Sequence, residues 1–520
     1  VRQRAKKKPL LDEKEKRRLH TLMNPRSEKF DKPKIVTGFL PVDSPIKETL
    51  VVDFEQQLLP YVKKGKEDDI KDLCAALTSA RNMVIWALDR DRTTLSTDEL
   101  FQKVNDYIRL LRGFLTPPRD VHKDSSTLQN QEMADDEKEE DKTDQQEKQE
   151  NVKKTVKTLR FVVSYIWRDL LDVKGRDWEM GDCALEEASI LLAVAQKLLS
   201  KIAREALSDS NSVDIHSTLR KVAGILAEAR KLVSEAEVQS DAGAVAENED
   251  TSSNTKKDCS DIQKKHIDSA HRASTDLRLA LPEAWAQLAL AEAQTATLNK
   301  ACNATHIEWS LVAALCSDQV QRYGNNVKGH VEALVKAAPD AANVKEWAGK
   351  RVSHNFLKAH VEFKRLYFTA LARYCSGVTL LERAISETDE NLNSKALAEL
   401  GTALAIHKDA QSQAANFVTT AKPITFIHDP AQPLQDSLDL LKRAYNRANQ
   451  LDTSIFHRGP CPELQPFPQP KSLITATPFP DPGISNLWTP EVWNAFDPQK
   501  VPEDGVFRIA SASRDCCAIS

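Results

Sequence analysis

Apolar residues recur at intervals of three and four along most of this chain, the spacing of one face of an α-helix. Over 68–88, the positions Leu73, Leu77, Val84 and Leu88 share a face. Ser96 and Glu99 are spaced as a capping box. The next helix is expected to start there and to carry YIRLLRGFL (Tyr107–Leu115), until Pro117 and Pro118 stop it. The apolar pattern resumes over 152–172. Further helices are predicted over Cys183–Leu207 and Ser217–Val238, and 345–387 reads as one long helix or a pair. Another is expected from Lys395 to about Thr420, capped by Asn391 or Ser394, and a last one from Leu434 to Gln450.

The stretch Leu277–Tyr323 is the one around which the rest is organised. Pro282 suits a first helical turn, where its missing N–H costs nothing. Trp285, Leu288, Glu292, Ala296 and Asn299 then step round a helix expected to run to about Ala301. After a short Asn-Ala-Thr break, Thr305 is placed to cap a second helix with Glu308 as its capping-box partner. Ile307, Leu311, Leu315 and Val312, Cys316, Val320 make that helix apolar on two adjoining faces, wide enough for a core and a partner. Alanines at 286, 289, 291, 293 and 296 allow a neighbouring helix to approach closely. An antiparallel helical hairpin follows. There is no strict 34-residue repeat, but consecutive alanine-rich helix pairs are the signature of a helical solenoid.

The pattern breaks in five places. Residues 1–35 are polar and basic, with Arg2, Arg4, Lys6, Lys7, Lys8, Lys14, Lys16, Arg17 and Arg18, and read as a solvated tail, with a nuclear-import or acidic-membrane patch as the minor alternative. Over 35–50, Ile35, Val36, Phe39 and Leu40 beside Gly and Pro suggest short extended pieces, the only strands expected. Residues 119–150 hold ten acids and three lysines between Glu132 and Glu150 and read as an insertion, either a disordered loop or a solvated charged helix. Residues 239–261 read as a second polar loop. From 451 on, the character changes: eleven of the 24 prolines fall between Pro460 and Pro502, which implies extended backbone. The isolated Phe467, Phe479, Trp488 and Trp493 would lay this arm back along the helices, with Trp488 and Phe496 partly buried. The expected organisation is a basic tail (1–35), a helical domain (36–456) with insertions near 119–150 and 239–261, a packed proline-rich arm (457–503) and a flexible tail (504–520).

Composition removes several function classes. The 72 Lys and Arg against 76 Asp and Glu leave a net charge of −4, which gives no bias toward nucleic acid. Nine cysteines form no CxxC pair and are not spaced for zinc, so reduced cytosolic thiols are expected. No apolar run approaches the ~18 residues of a membrane span. GxSxG, GxxxxGK[ST], HExxH and GxGxxG are missing, and the twelve histidines are dispersed. His354 and His360 would not share a helix face, His266 and His271 sit near a loop, and His306 beside Glu308 is a helix-start residue. Acid pairs such as Glu186–Glu187 read as solvated helix charges. The expectation is a protein without catalysis, cofactor or metal.

Several of these segments carry a resemblance. Tyr107, Leu110, Leu111, Gly113 and Phe114 fit a YxxLLxGF pattern, and Phe161, Tyr165, Trp167 and Leu171 fit an F-x-W-x-D-x-L segment. To these are added AGIL (Ala223–Leu226), AEAQ followed by LVAALCSDQVQRY, and the arm segments IFHRGP, PFPDP and WTPEVWNAFD. Together they resemble the Alix-related BRO domain family over roughly 50–500, and within it the kind of member that carries its own C-terminal lipidation box. The resemblance implies a mainly α fold: a curved, boomerang-shaped solenoid of TPR-like helix pairs with a small N-terminal β-sheet and an extended proline-rich C-terminal arm. It implies a monomeric, non-catalytic adaptor that binds the C-terminal amphipathic helix of ESCRT-III (charged multivesicular body protein) subunits in endosomal sorting. The expected location is cytoplasmic and peripheral, on endosomal or nuclear-envelope membranes. Leu311 and Leu315 match the family's partner-contact pair, although spacing alone would place both in the core. Asp209 matches its acidic contact, Thr297 stands where relatives place an aromatic, and Ile455 stands where some carry a docking tyrosine. The chain ends Cys517-Ala518-Ile519-Ser520, a CaaX box in which Cys517 would be prenylated and Ser520 selects farnesyl. One lipid holds only marginally, so Cys516 is a candidate for palmitoylation. A vinculin-like cytoskeletal bundle is the nearer rival, but it accounts for neither the arm nor the box; a hydrolase with an unrecognised site ranks last.

Overall fold

The computed structural model describes residues 32, 35, 47–89, 95–117, 158–170, 177–205, 212–246, 274–278, 281–337, 354–420 and 431–509. Asp209, Cys516, Cys517, the acidic stretch and most of the basic tail lie outside them. The helices are α1 (Phe54–Leu58), α2 (Lys71–Leu88), α3 (Thr97–Leu115), α4 (Cys183–Glu205), α5 (Ser212–Ala246), α6 (Thr275–Arg278), α7 (Leu281–Asn303), α8 (Trp309–Gln321), α9 (Lys328–Ala337), α10 (His354–Glu387), α11 (Glu390–Thr420), α12 (Ala431–Leu451) and α13 (Pro490–Ala495). They stack as a curved solenoid in which α4 packs on α5, α5 on α7, α8 on α10, and α10 on α11, its longest partner.

Local chemistry explains most boundaries. Ser96 and Glu99 form the expected capping box at α3. At α8 the box is not formed: Glu308 is itself the N-cap, in an extended conformation and without a side-chain cap, so the helix begins at Trp309. Asp389, rather than Asn391 or Ser394, caps α11, because its carboxylate accepts from the N–H groups of Asn391 (2.7 Å) and Leu392 (3.3 Å). Ser394 instead lies inside the helix and donates to the Gly459 carbonyl at 2.7 Å. Helix α5 continues to Ala246, through the start of the segment expected to be a loop from 239.

The buried centre is α4, whose residues 183–196 are all buried. Glu186 and Glu187, expected to be solvated, are 0% exposed, which corrects that reading. Glu186 accepts from Arg81 Nε at 2.9 Å, Trp167 Nε1 at 2.5 Å and Tyr107 Oη at 3.2 Å. Glu187 accepts from Arg112 Nη2 at 2.8 Å. The other two arms of the Arg81 guanidinium reach the Leu50 carbonyl and Thr49 Oγ1, both at 2.7 Å. A helix with apolar groups all round is buried all round, and these two carboxylates follow it inside only because arginines from α2 and α3 follow them.

The strands are β1 (Tyr165–Arg168), β2 (Asp177–Met180) and β3 (Phe507–Ile509), in the antiparallel order β1-β2-β3. Thr49 adds a bridge to Trp167, with Leu50 N donating to the Ile166 carbonyl and Arg168 N to that of Glu48. Residues 48–50 therefore add an edge to the sheet, whose strands come from later in the chain; Val36, Phe39 and Leu40, expected in extended pieces, lie outside the described residues. The apolar alternation of Tyr165 and Trp167 is a strand rather than part of a helix: both are buried, while Ile166 and Arg168 are half-exposed. The segment expected to be free tail from 504 instead supplies β3.

The arm runs back over the helices in nearly the reverse of chain order. Cys461 N donates to the Ser394 carbonyl, Gln465 N to Glu399, and Arg373 to the Gln465 carbonyl while lying 5.0 Å from the Phe467 ring. Ser317 Oγ then donates to the Pro468 carbonyl (2.6 Å), Arg220 to that of Thr475 (2.8 Å), and Trp488 Nε1 to that of Leu110 (2.8 Å). Trp488 and Phe496 are fully rather than partly buried. At Gly113 any side chain would overlap the Trp488 indole, and at Gly224 it would overlap the Thr477 carbonyl, so both glycines are required by close approach. Trp488→Ala is expected to destabilise the protein by about 3–5 kcal/mol, read as a lowered urea midpoint; Gly113→Val should do comparable damage by displacing the same ring.

Candidate partner-binding face

Helices α7 and α8 form the expected hairpin. Trp285, Leu288 and Glu292 of α7 are buried, as are the alanines at 286, 289, 291 and 293 that let α5 approach. Between the helices, Lys32 Nζ donates to the carbonyls of Ala304 (2.8 Å) and Asn303 (3.3 Å), a cation at a helix C-terminus.

The two leucines of α8 separate. Leu315 is 0% exposed and belongs to the core, whereas Leu311 is half-buried and reachable. The reason is that Leu315 lies on the same buried run as Val312, Cys316 and Gln319, against α10. An exposed pair of leucines one turn apart is therefore not present. The reachable apolar residues are Leu311 in the first turn of α8 and Ile307, which precedes the extended Glu308 N-cap; both are half-buried. The arm covers the adjoining side of α8: Lys471 N donates to the Ala314 carbonyl at 3.1 Å, and Gln294 Nε2 to the Lys471 carbonyl at 3.2 Å. Thr297 turns its hydroxyl back to the Ala293 carbonyl at 3.3 Å and adds no ring to this face.

Beneath this face lies a polar cluster that periodicity did not reveal. Glu292 of α7 accepts from Tyr323 Oη at 2.7 Å and lies 3.4 Å from Lys364 Nζ and 3.5 Å from His360 Nε2, both on α10. Tyr323 is delivered by a π-helical turn, Arg322–Val327, that continues α8. Burial acts to raise the Glu292 carboxyl, but Lys364, His360 and the tyrosine hydroxyl outweigh it and hold it below the usual carboxylate range. Burial pushes the Lys364 ammonium down, against the pull of Glu292. The available signal was a glutamate set among alanines on an otherwise apolar face. Around it, burial raises the thiol of Cys302 to about 12, and burial also pushes those of Cys316 and Cys375 well above the ordinary thiol range. These thiols are unreactive filling. Among the described residues, no group of three or more His, Cys, Asp or Glu is placed to hold a metal ion, and no helix is long and apolar enough to cross a membrane.

Two outcomes follow from the buried charges. Glu292→Gln leaves the buried Lys364 without its carboxylate and is expected to cost about 3–5 kcal/mol, with Lys364→Met in the same chain recovering much of it; a double-mutant cycle by urea unfolding measures this. His407 of α11 is buried against Tyr367, neither ring nitrogen has a hydrogen-bond partner among the described residues, and burial pushes its imidazole down to about 4. The unfolded chain takes up that proton near pH 6.5 while the folded chain does not. Its contribution is therefore fully present above about pH 6.5 and is lost progressively as pH falls toward 4. The loss should be about 2 kcal/mol at pH 5, and His407→Leu should flatten that slope.

Comparison with known proteins supplies the remaining evidence. The sequence profile described as a BRO1-like domain matches residues 152–500. No curated protein matches the chain significantly. Among solved structures, one described as the structural basis for endosomal targeting by the Bro1 domain superposes with a TM-score of 0.52 at 15% identity, covering 90% of this chain and 99% of that one. A crystal structure of ALIX in complex with the SIVmac239 PYKEVTEDL late domain superposes with a TM-score of 0.51 at 13% identity, covering 89% of this chain and 51% of that one.

Proposed function

Since this chain belongs to the BRO1-like domain family, we propose that it is a non-catalytic adaptor of endosomal sorting that binds the C-terminal amphipathic helix of an ESCRT-III subunit. The family match carries this reading, and the half-buried Ile307 and Leu311 at the start of α8 support it. A helix docks in a groove through apolar anchors at i, i+3, i+4 and i+7. Leu311 in the first turn of α8 and Ile307 just before the helix offer apolar contacts, and the arm crosses the same helix at Ala314. Asp209, outside the described residues, is assigned to a basic residue of the same peptide on the family resemblance; Leu315 lies in the core behind Leu311. The adaptor is assigned a helical domain from 36 to 456 and an arm from 457 to 503. The late-domain complex is a property of that ALIX structure, of which this chain covers about half.

The second half of the proposal is membrane anchorage, as in BROX-type members of the family. Cys517 carries a prenyl group and Cys516 a second, acyl one, because a single chain gives marginal, reversible binding. Such an anchor suits an adaptor recruited mainly by its partner, at endosomal or nuclear-envelope membranes.

Calorimetry with isolated ESCRT-III tail peptides tests the first half. Leu311→Asp should weaken binding at least about tenfold, roughly 1.4 kcal/mol, with helical ellipticity and melting near normal. Leu315→Asp should instead unfold the domain, because it places a charge in the core. Tail binding undiminished in Leu311→Asp refutes the assignment. For the anchor, Cys517→Ser should move the protein from membranes to cytosol while leaving tail binding intact. An intact mass from eukaryotic cells showing an unmodified Cys517 and retained Ala518-Ile519-Ser520 would exclude prenylation.

A further inference from the structure

The arm is pinned to the helices at two places and arches between them. At one end, Thr477 N donates to the Arg220 carbonyl at 3.0 Å, over Gly224 of α5. At the other, Ser485 N donates to the Arg109 carbonyl at 3.0 Å, and Trp488 seats on Gly113 of α3. The arch is held by Asp481, which accepts from Arg112, and by Gly483, whose φ of +70° suits the bend and whose N–H donates to Asp481 at 3.0 Å. Under the arch, between α3 and α5, is a cavity of ≈ 670 Å³, within the range of ligand pockets. Its apolar wall is Phe101, Ile225, Phe479 and the arm prolines.

Two polar atoms in this lining are buried and make no hydrogen bond among the described residues: Asn105 Oδ1, an acceptor, and Arg109 Nε, a donor. They lie one helical turn apart on α3, so they face the same side. Such buried groups are costly to leave unmatched. The N–H and C=O of a single residue in an extended peptide point to one side, and they offer the complementary donor and acceptor. The charges at the mouth are mixed. Lys221 lies 5.6 Å from the Phe101 ring and 3.8 Å from Asp98, and Asp106 and Arg109 of α3 also line the cavity. The two carboxylates disfavour a phosphate or other anion, and the two cations disfavour a cationic ligand.

We propose that this cavity is a second docking site, one that takes a short extended peptide segment. Its apolar side chain fills the space between Phe101, Ile225 and Phe479, and the amide of the same residue bridges Asn105 Oδ1 and Arg109 Nε. Aromatic and proline walls are the surface on which extended segments are held. The site shares no residue with the Leu311 face, so it stands whether or not that face binds an ESCRT-III tail.

The test uses the full chain and a set of fluorescein-labelled, C-amidated heptapeptides with Leu, Phe or Tyr at the centre and small residues elsewhere. Fluorescence polarisation should identify binders, and exchange of the central residue for Gly should abolish the signal. Arg109→Leu removes the donor. Gln102→Trp blocks the mouth from an exposed rim position, where the fold tolerates change. Each should raise Kd at least about tenfold, roughly 1.4 kcal/mol, with melting unchanged. Binding of ESCRT-III tails should be unaffected by either. No polarisation change with any peptide up to about 1 mM, or retained binding in either folded variant, overturns the proposal.

Discussion

Two buried carboxylates near the N-terminal end of α4 constrain everything around them. Glu186 and Glu187 are adjacent in sequence, so they leave α4 in different directions and require different partners. Glu186 draws Arg81 from α2, Tyr107 from α3 and Trp167 from β1, and Arg81 in turn ties down the backbone at Thr49 and Leu50. Glu187 draws Arg112, which continues to Glu228 of α5 and Asp481 of the arm. Removing one member would strand a charge in a dry interior, which is far more costly than a lost surface pair. Such a network is specific because every part must be present for any part to be satisfied. It therefore joins seven separated stretches of the chain, Thr49–Leu50, α2, α3, β1, α4, α5 and the arm, into one unit.

Much of the fold was legible in the sequence because it rests on apolar periodicity and punctuation. The α7–α8 hairpin, the Ser96 box and the packed arm all followed from side-chain type and spacing. The motifs that carried the family resemblance have a common physical role: Gly113 lies in LLRGF and Gly224 in AGIL, and each admits one pin of the arm. WTPEVWNAFD supplies the other side of the first contact: Trp488 meets Phe114 and Trp493 edge-on and stacks on Phe496.

What was illegible depends on contacts distant in sequence. A glutamate pair reads as solvated until the arginines that neutralise it are brought close by tertiary packing. Tyr165 and Trp167 look helical because a short strand beside a helix shares its apolar density; only pairing with β2 separates the two. Leu311 and Leu315 are equivalent by spacing and differ only in whether α10 lies over them. The Glu292 cluster required knowing that α10 places His360 and Lys364 opposite one acid on α7.

The reverse course of the arm has a consequence for how the chain reaches this state. Its pairings with α3, β2 and the residues near Tyr61 span several hundred positions, among the longest separations in the molecule. Such contacts form late, because their loop-closure cost precedes their reward. During synthesis the helices emerge well before the segment that binds them, leaving the grooves at Gly113 and Gly224 open and apolar. Until the last stretch leaves the ribosome, the solenoid is an unclosed stack that a chaperone can hold.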